Sequence, residues 1–249
     1  MTEILNTCKR LEEIIKSKIN IQAIILGTIH TCKPKSNVCD KEYNCYKEII
    51  ENIKPDFVLV EATKIIEDII KNIEHTCILD KDNNDISKNW HSYVVDMGIE
   101  SEIIIKKRDF CFKLILCDLS DKEKNDVQKN LLNRLPEELT KCEYDFDAFY
   151  ENHPELNLKR LFYNEREKRM GENVIKYLDR KSIIVLIGHE HAGECSNIHN
   201  ILKDINYIAL WRNNKYCGNC GQKIAENNEN ENCDYCGNVL YNFIINNSK

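Results

Sequence analysis

The sequence predicts an α/β fold, a largely parallel sheet with helices on both faces, followed by a small C-terminal module. Two observations carry this. Short runs that are apolar at consecutive positions, as in strands covered on both faces, alternate with segments whose apolar residues recur at helical spacing. At Arg212 the texture changes to Asn, Gly and Cys, which divides the 249 residues into a full-sized domain, 1–211, and a module, 212–249.

The elements follow in order. Leu11, Ile14, Ile15 and Ile19 have helical spacing and precede a strand over 21–26 that ends at Gly27. Tyr43, Tyr46, Ile49, Ile50 and Ile53 share one helical face, Pro55 stops that helix, and 57–60 forms a second strand. Ile65, Ile66, Ile69, Ile70 and Ile73 predict another helix, the Asn- and Asp-rich stretch 76–92 a loop, and 111–117 a third strand. Helices are expected at 121–134 and 145–151, then a long charged one over 155–180. A fourth strand at 182–187, a short helix at Ile198, Ile201 and Leu202, and a fifth strand at 205–211 complete the domain.

Composition excludes some classes of function. The formal net charge is -6 and the pI about 5.7, so no global positive field argues for a nucleic-acid partner. No apolar run approaches the roughly 18–20 residues needed to cross a bilayer. The amino terminus lacks a basic region followed by an apolar one, so the expectation is cytoplasmic.

Thirteen cysteines are present, and four of them, Cys217, Cys220, Cys233 and Cys236, form two CxxC pairs separated by twelve residues. Four thiolates at that spacing close a tetrahedron around a structural zinc, and Gly218 and Gly237 let backbone amides approach the sulfurs. The module is therefore expected to be a zinc ribbon that folds with its metal and can dock a protein partner. Cys8, Cys39, Cys45, Cys77, Cys111, Cys142 and Cys195 show no ligand spacing and read as small buried hydrophobes. Cys32 lies two residues from His30, but it is not expected to be a ligand of an ion there.

The chemistry is expected where the strands stop. They end in Gly27-Thr28-Ile29-His30, Val60-Glu61, Cys117-Asp118 and Gly188-His189-Glu190-His191. In a parallel sheet all carboxyl ends lie on one edge, where open α/β folds bind ligands. His30, Glu61 and His191 would then converge. Two imidazoles and a carboxylate hold zinc, manganese or cobalt and leave coordination positions open for water and substrate. Glu190 is a candidate general base, or a solvated turn residue. Asp118 can orient a ligand imidazole or cap the helix that follows Ser120, and His189 is placed behind the ligands.

These residues resemble the TraB/PrgY family and its Tiki relatives, which share two GX2H motifs and an intervening Glu. Leu26-Gly-Thr-Ile-His30, Lys54-Pro-Asp-Phe-Val-Leu-Val-Glu61, Glu165-Arg166 with Arg169-Met170, and Val185-Leu-Ile-Gly-His-Glu-His191-Ala-Gly193 follow the family order over about residues 20 to 211. The resemblance implies a metal-dependent, peptidase-like hydrolase in Tiki-like members. It also implies that Arg166 stabilises an oxyanion or holds a substrate carboxylate; the alternative is a surface ion pair with Glu165 or Glu167. This chain departs from the family at Lys64 and at Asp118-Leu119, where arginines are usual, and carries the ribbon where many TraB members have a membrane region. The leading expectation is a hydrolase acting on a peptide or small molecule through Glu61, Arg166 and Glu190. The alternative is a regulatory protein that binds a peptide or ligand in the same pocket without turnover and whose ribbon docks a protein or nucleic-acid partner.

Overall fold

The computed structural model describes residues 21–28, 37–61, 112–134, 158–178, 182–212 and 241–247, with Glu13, Gln222, Ile224, Asn232 and Cys236 as isolated positions. Apart from Glu13, which is helical, the helices expected at 11–19, 65–73 and 145–151, and the loop at 76–92, lie outside these residues. The described elements are β1 (Ala23–Thr28), α1 (Asn37–Ile53), β2 (Phe57–Val60), β3 (Lys113–Leu116), α2 (Asp121–Leu132), α3 (Leu158–Tyr177), β4 (Ile183–Gly188), α4 (His189–Ala192), α5 (Ile198–Ile201), β5 (Tyr207–Arg212) and β6 (Tyr241–Asn246).

Five strands are parallel and the sixth is antiparallel, in the order β3-β2-β4-β1-β5-β6. The expected α/β architecture is present. Residues 241–246, which the sequence reading assigned to the C-terminal module, lie in this same sheet as β6, hydrogen-bonded along β5.

Strand side chains alternate between two cores, as period-two geometry requires. Ile24, Leu26, Val58, Val60, Ile184, Leu186, Ile208 and Leu210 pack against Cys45, Tyr46, Ile49 and Ile50 of α1. On the other face Ile25, Leu59, Val185, Ile187 and Ala209 pack against Met170 and Val174 of α3, and against Ala192, Ile198 and Leu202. Both faces being covered explains why these strands read as unbroken apolar runs. Burying one such Ile, Leu or Val side chain contributes roughly 1.5–3 kcal/mol.

Helix ends follow local chemistry. α1 stops at Lys54, whose φ of 50° is left-handed and whose N–H donates to the Ile50 carbonyl at 2.9 Å, and Pro55 cannot continue the helix. α2 begins with a capping box, in which Ser120 and Glu123 satisfy each other's backbone N–H groups. Among the described residues no helix is long and apolar enough to cross a membrane.

Candidate functional site

Adjacent strands deliver the polar groups to one edge. Glu61 is the first residue after β2, and its N–H extends the ladder to Leu186 O of β4 at 2.9 Å. Its Oε2 accepts the Gly188 N–H at 2.6 Å, and its Oε1 accepts from Arg166 Nη2. Asp118 follows β3 on the neighbouring strand and accepts Arg166 Nη2 at 2.7 Å, Arg166 Nε at 3.2 Å and the Leu119 N–H at 2.7 Å. Lys124 of α2 completes its shell at 2.6 Å.

One guanidinium therefore bridges two strand-end carboxylates. Its planar fork suits that task in a way an ammonium does not. Burial works against the Arg166 charge, but Glu61 and then Asp118 outweigh it, so the guanidinium is held even more firmly protonated than usual. Phe162 and Tyr163 flank it, each ring centroid 5.8 Å from the guanidinium carbon.

His191 sits in α4, immediately after β4, and is 3% exposed. Its Nε2 lies 3.7 Å from Glu61 Oε1 and its Nδ1 is 3.0 Å from Glu167 Oε1. Tyr163 covers the ring, with centroids 4.6 Å apart. Burial first, then a hydrogen bond to Glu190, raises the Tyr163 hydroxyl far above its ordinary value, so it remains a donor. Lys159 approaches the same Glu190 carboxylate at 3.9 Å.

The turn bearing His191 is pinned from below. A side chain on Gly27 would place its Cβ 2.8 Å from both Ala192 Cβ and Trp211 Cβ, so only glycine admits this approach of α4 to the sheet. His199 Nε2 meets the carbonyls of Gly193 and Ala192 at 2.9 and 3.2 Å, and its Nδ1 meets the Tyr207 hydroxyl at 2.9 Å. Burial pushes that hydroxyl up to about 12. Tyr46 reaches across from α1 and donates to the Gly27 carbonyl at 2.7 Å, fixing the end of β1.

The structure brings together the strand-end residues Glu61, Asp118 and His191 and adds Arg166 from α3, and several details differ from expectation. Among the described residues Asp118 orients no imidazole, and Ser120 rather than Asp118 caps α2; Asp118 holds Arg166 instead. Arg166 is not a surface partner of Glu165 or Glu167, because its side chain is only 13% exposed and points to the strand ends. Glu190 is a rim residue bound to Tyr163 and Lys159, and His189 Nδ1 lies 3.3 Å from Thr28 O. Cys45 is buried as expected but is disulfide-bonded, not a free thiol, whereas Cys195 is exposed rather than buried. Cys117 is a buried free thiol whose pKa is raised, by burial first and then by Asp118. His30, Cys32, Cys217, Cys220 and Cys233 lie outside the described residues, and Cys236 is exposed.

Glu167, Tyr163 and His199 were missed from sequence. For Glu167 a signal existed: it lies three and seven residues before Met170 and Val174, on the buried stripe of α3, where a charge needs a partner.

No protein-family model and no curated protein matches the chain. A solved structure described as "Cofacial heme binding to ChaN of Campylobacter jejuni" is similar over 95% of this chain and 92% of that chain, at 13% identity and a TM-score of 0.49. That level of likeness carries no inference about the ligand of this site.

Among the described residues no group of three His, Cys, Asp or Glu side chains is arranged to hold a metal ion. Two of the three expected donors, Glu61 and His191, are described and face one another. The donor chemistry fits a divalent ion in one further respect: His191 has a carboxylate behind its second nitrogen, the support that ligating imidazoles commonly receive.

Proposed function

We propose that this chain is a metal-dependent, peptidase-like hydrolase of the TraB/PrgY/Tiki type, acting on an amide or ester carbonyl. The observation that supports it best is the meeting of Glu61, Arg166 and His191 at one sheet edge, with Glu167 behind the imidazole. Glu61 and His191, with His30, would hold the ion. A divalent ion such as zinc, manganese or cobalt supplies Lewis acidity there, activating water and polarising a carbonyl.

The protein's own groups have distinct tasks. Arg166 holds Glu61 in place. Its bonds to Glu61 and Asp118 use Nε and Nη2, which leaves the Nη1 amino group for a substrate oxyanion. Tyr163, hydrogen-bonded to Glu190, closes the site over His191 and can orient a polar group of the substrate. Glu190 remains our candidate for accepting a proton from water. The ribbon, held by Cys217, Cys220, Cys233 and Cys236 on a structural zinc, would dock a protein partner.

A second reading, a binding protein without turnover, is favoured by one observation. Arg166 already neutralises Glu61, so the described part of the pocket is charge-compensated without any ion. Incubation with peptide and ester libraries, with Mn, Co or Zn added, separates the two. The hydrolase reading expects metal-stimulated cleavage that falls about 100- to 1000-fold in Arg166→Ala, the scale of losing an oxyanion donor. Ligands retained intact under all three metals would leave only the binder.

A further inference from the structure

We infer that Glu167 is a positioning residue that sets the tautomer and ring orientation of His191. The inference goes beyond the proposed hydrolysis, because it concerns the imidazole itself and holds whether the site turns over or only binds.

Glu167 is fully buried near the middle of α3, where a carboxylate persists only if its oxygens are satisfied. Arg160, two helical turns earlier, donates to both oxygens, at 2.8 Å from Nη2 to Oε2 and 3.4 Å from Nη1 to Oε1. The Asn197 N–H donates to Oε2 at 2.7 Å. Both are obligatory donors, so the carboxylate acts throughout as an acceptor. Its remaining neighbour is His191 Nδ1, 3.0 Å from Oε1.

A neutral imidazole carries one N–H, and the bond to a neighbour decides which nitrogen holds it. A hydrogen bond from Nδ1 to Glu167 places the proton on Nδ1. The opposite tautomer would set an Nδ1 lone pair against a buried carboxylate. Nε2 is therefore left with its lone pair, and Nε2 is the atom that faces Glu61. The nitrogen presented to the pocket accepts rather than donates, so it suits a divalent cation or a ligand O–H or N–H group.

The same side chain also closes the turn. Glu167 bonds His191 at its start and the Asn197 backbone at its end, tying the segment between β4 and α5 to α3. Tyr163, one turn earlier on α3, packs on the imidazole from a second side.

The test is imidazole nitrogen NMR on the full chain labelled with 15N-histidine, recorded at an alkaline pH at which the His191 nitrogens themselves report a neutral ring. His191 is assigned by the signals lost in His191→Gln. The expected spectrum has a protonated Nδ1 and an unprotonated Nε2. In Glu167→Gln the two strongest donors, Asn197 N–H and Arg160, claim the amide carbonyl, which turns the amide NH2 toward His191 and should move the proton to Nε2. Circular dichroism establishes that the variant is folded. A wild-type His191 protonated on Nε2 would overturn the inference, as would a folded Glu167→Gln with an unchanged pattern. If Glu167→Gln does not fold, the wild-type spectrum decides alone.

Discussion

Removing the guanidinium of Arg166 would leave Glu61 and Asp118, both 8% exposed, facing each other across adjacent strands with Lys124 as their remaining described cation. Breaking a buried pair by deleting one partner typically costs about 3–5 kcal/mol, so Arg166→Ala should lower the free energy of unfolding by that order, read from urea denaturation. Arg166→Lys restores charge but not the fork that serves two carboxylates, and should recover only part of the loss. An Arg166→Ala protein as stable as the wild type would mean that the network is a surface ornament. None of this was legible in Glu-Arg-Glu on a charged helix. That pattern fits a solvated face equally well, and only the approach of α3 to the strand ends decides which side chains turn inward. The strand-end residues were legible because parallel topology, not side-chain detail, collects them.

At the scale of elements, the capping box of α2 makes a pH-dependent prediction. Hydrogen bonds from the Ser120 backbone, then its hydroxyl, hold the Glu123 carboxyl below the usual carboxylate range. A folded pKa lowered in this way contributes stability that is present above the ordinary Glu value of about 4.3 and lost as pH falls through the folded value. Ser120→Ala should cost about 1 kcal/mol near neutrality, and that difference should shrink under acid. A constant difference across an acid titration of stability would contradict the cap's coupling to Glu123.

The turn that carries His191 makes a second prediction at this scale. Gly27→Ala would push a methyl against Ala192 and Trp211, and 3.1 Å from the His189 backbone, none of which can swing aside. Overpacking of this kind costs about 1–3 kcal/mol, and the loss should appear in a thermal melt together with displaced His191 resonances. The sequence showed Gly27 as the end of a strand. It did not show that a four-residue helix would press on it, because that contact pairs segments 160 residues apart.

For the whole molecule, β6 joins what the sequence separated. The boundary at Arg212 follows a real change of composition, yet Tyr241–Asn246 returns to pair along β5, with Phe243 and Ile245 on one core and Ile244 on the other. A chain cut after 211 would expose the β5 edge and lose these contacts, so it should aggregate or melt well below the full chain. Cys45 is held in a disulfide. Alkylation of the unfolded, unreduced chain should spare Cys45, and its labelling would show a free thiol.

Because truncation at 211 strips β6, the central claim is best tested on the full chain. Elemental analysis of metal per chain, in wild type and in His191→Ala, measures it directly. The wild type should carry a ribbon zinc plus a second divalent ion, and a folded His191→Ala should lose only that second ion. One zinc per chain, unchanged by the substitution, would contradict it.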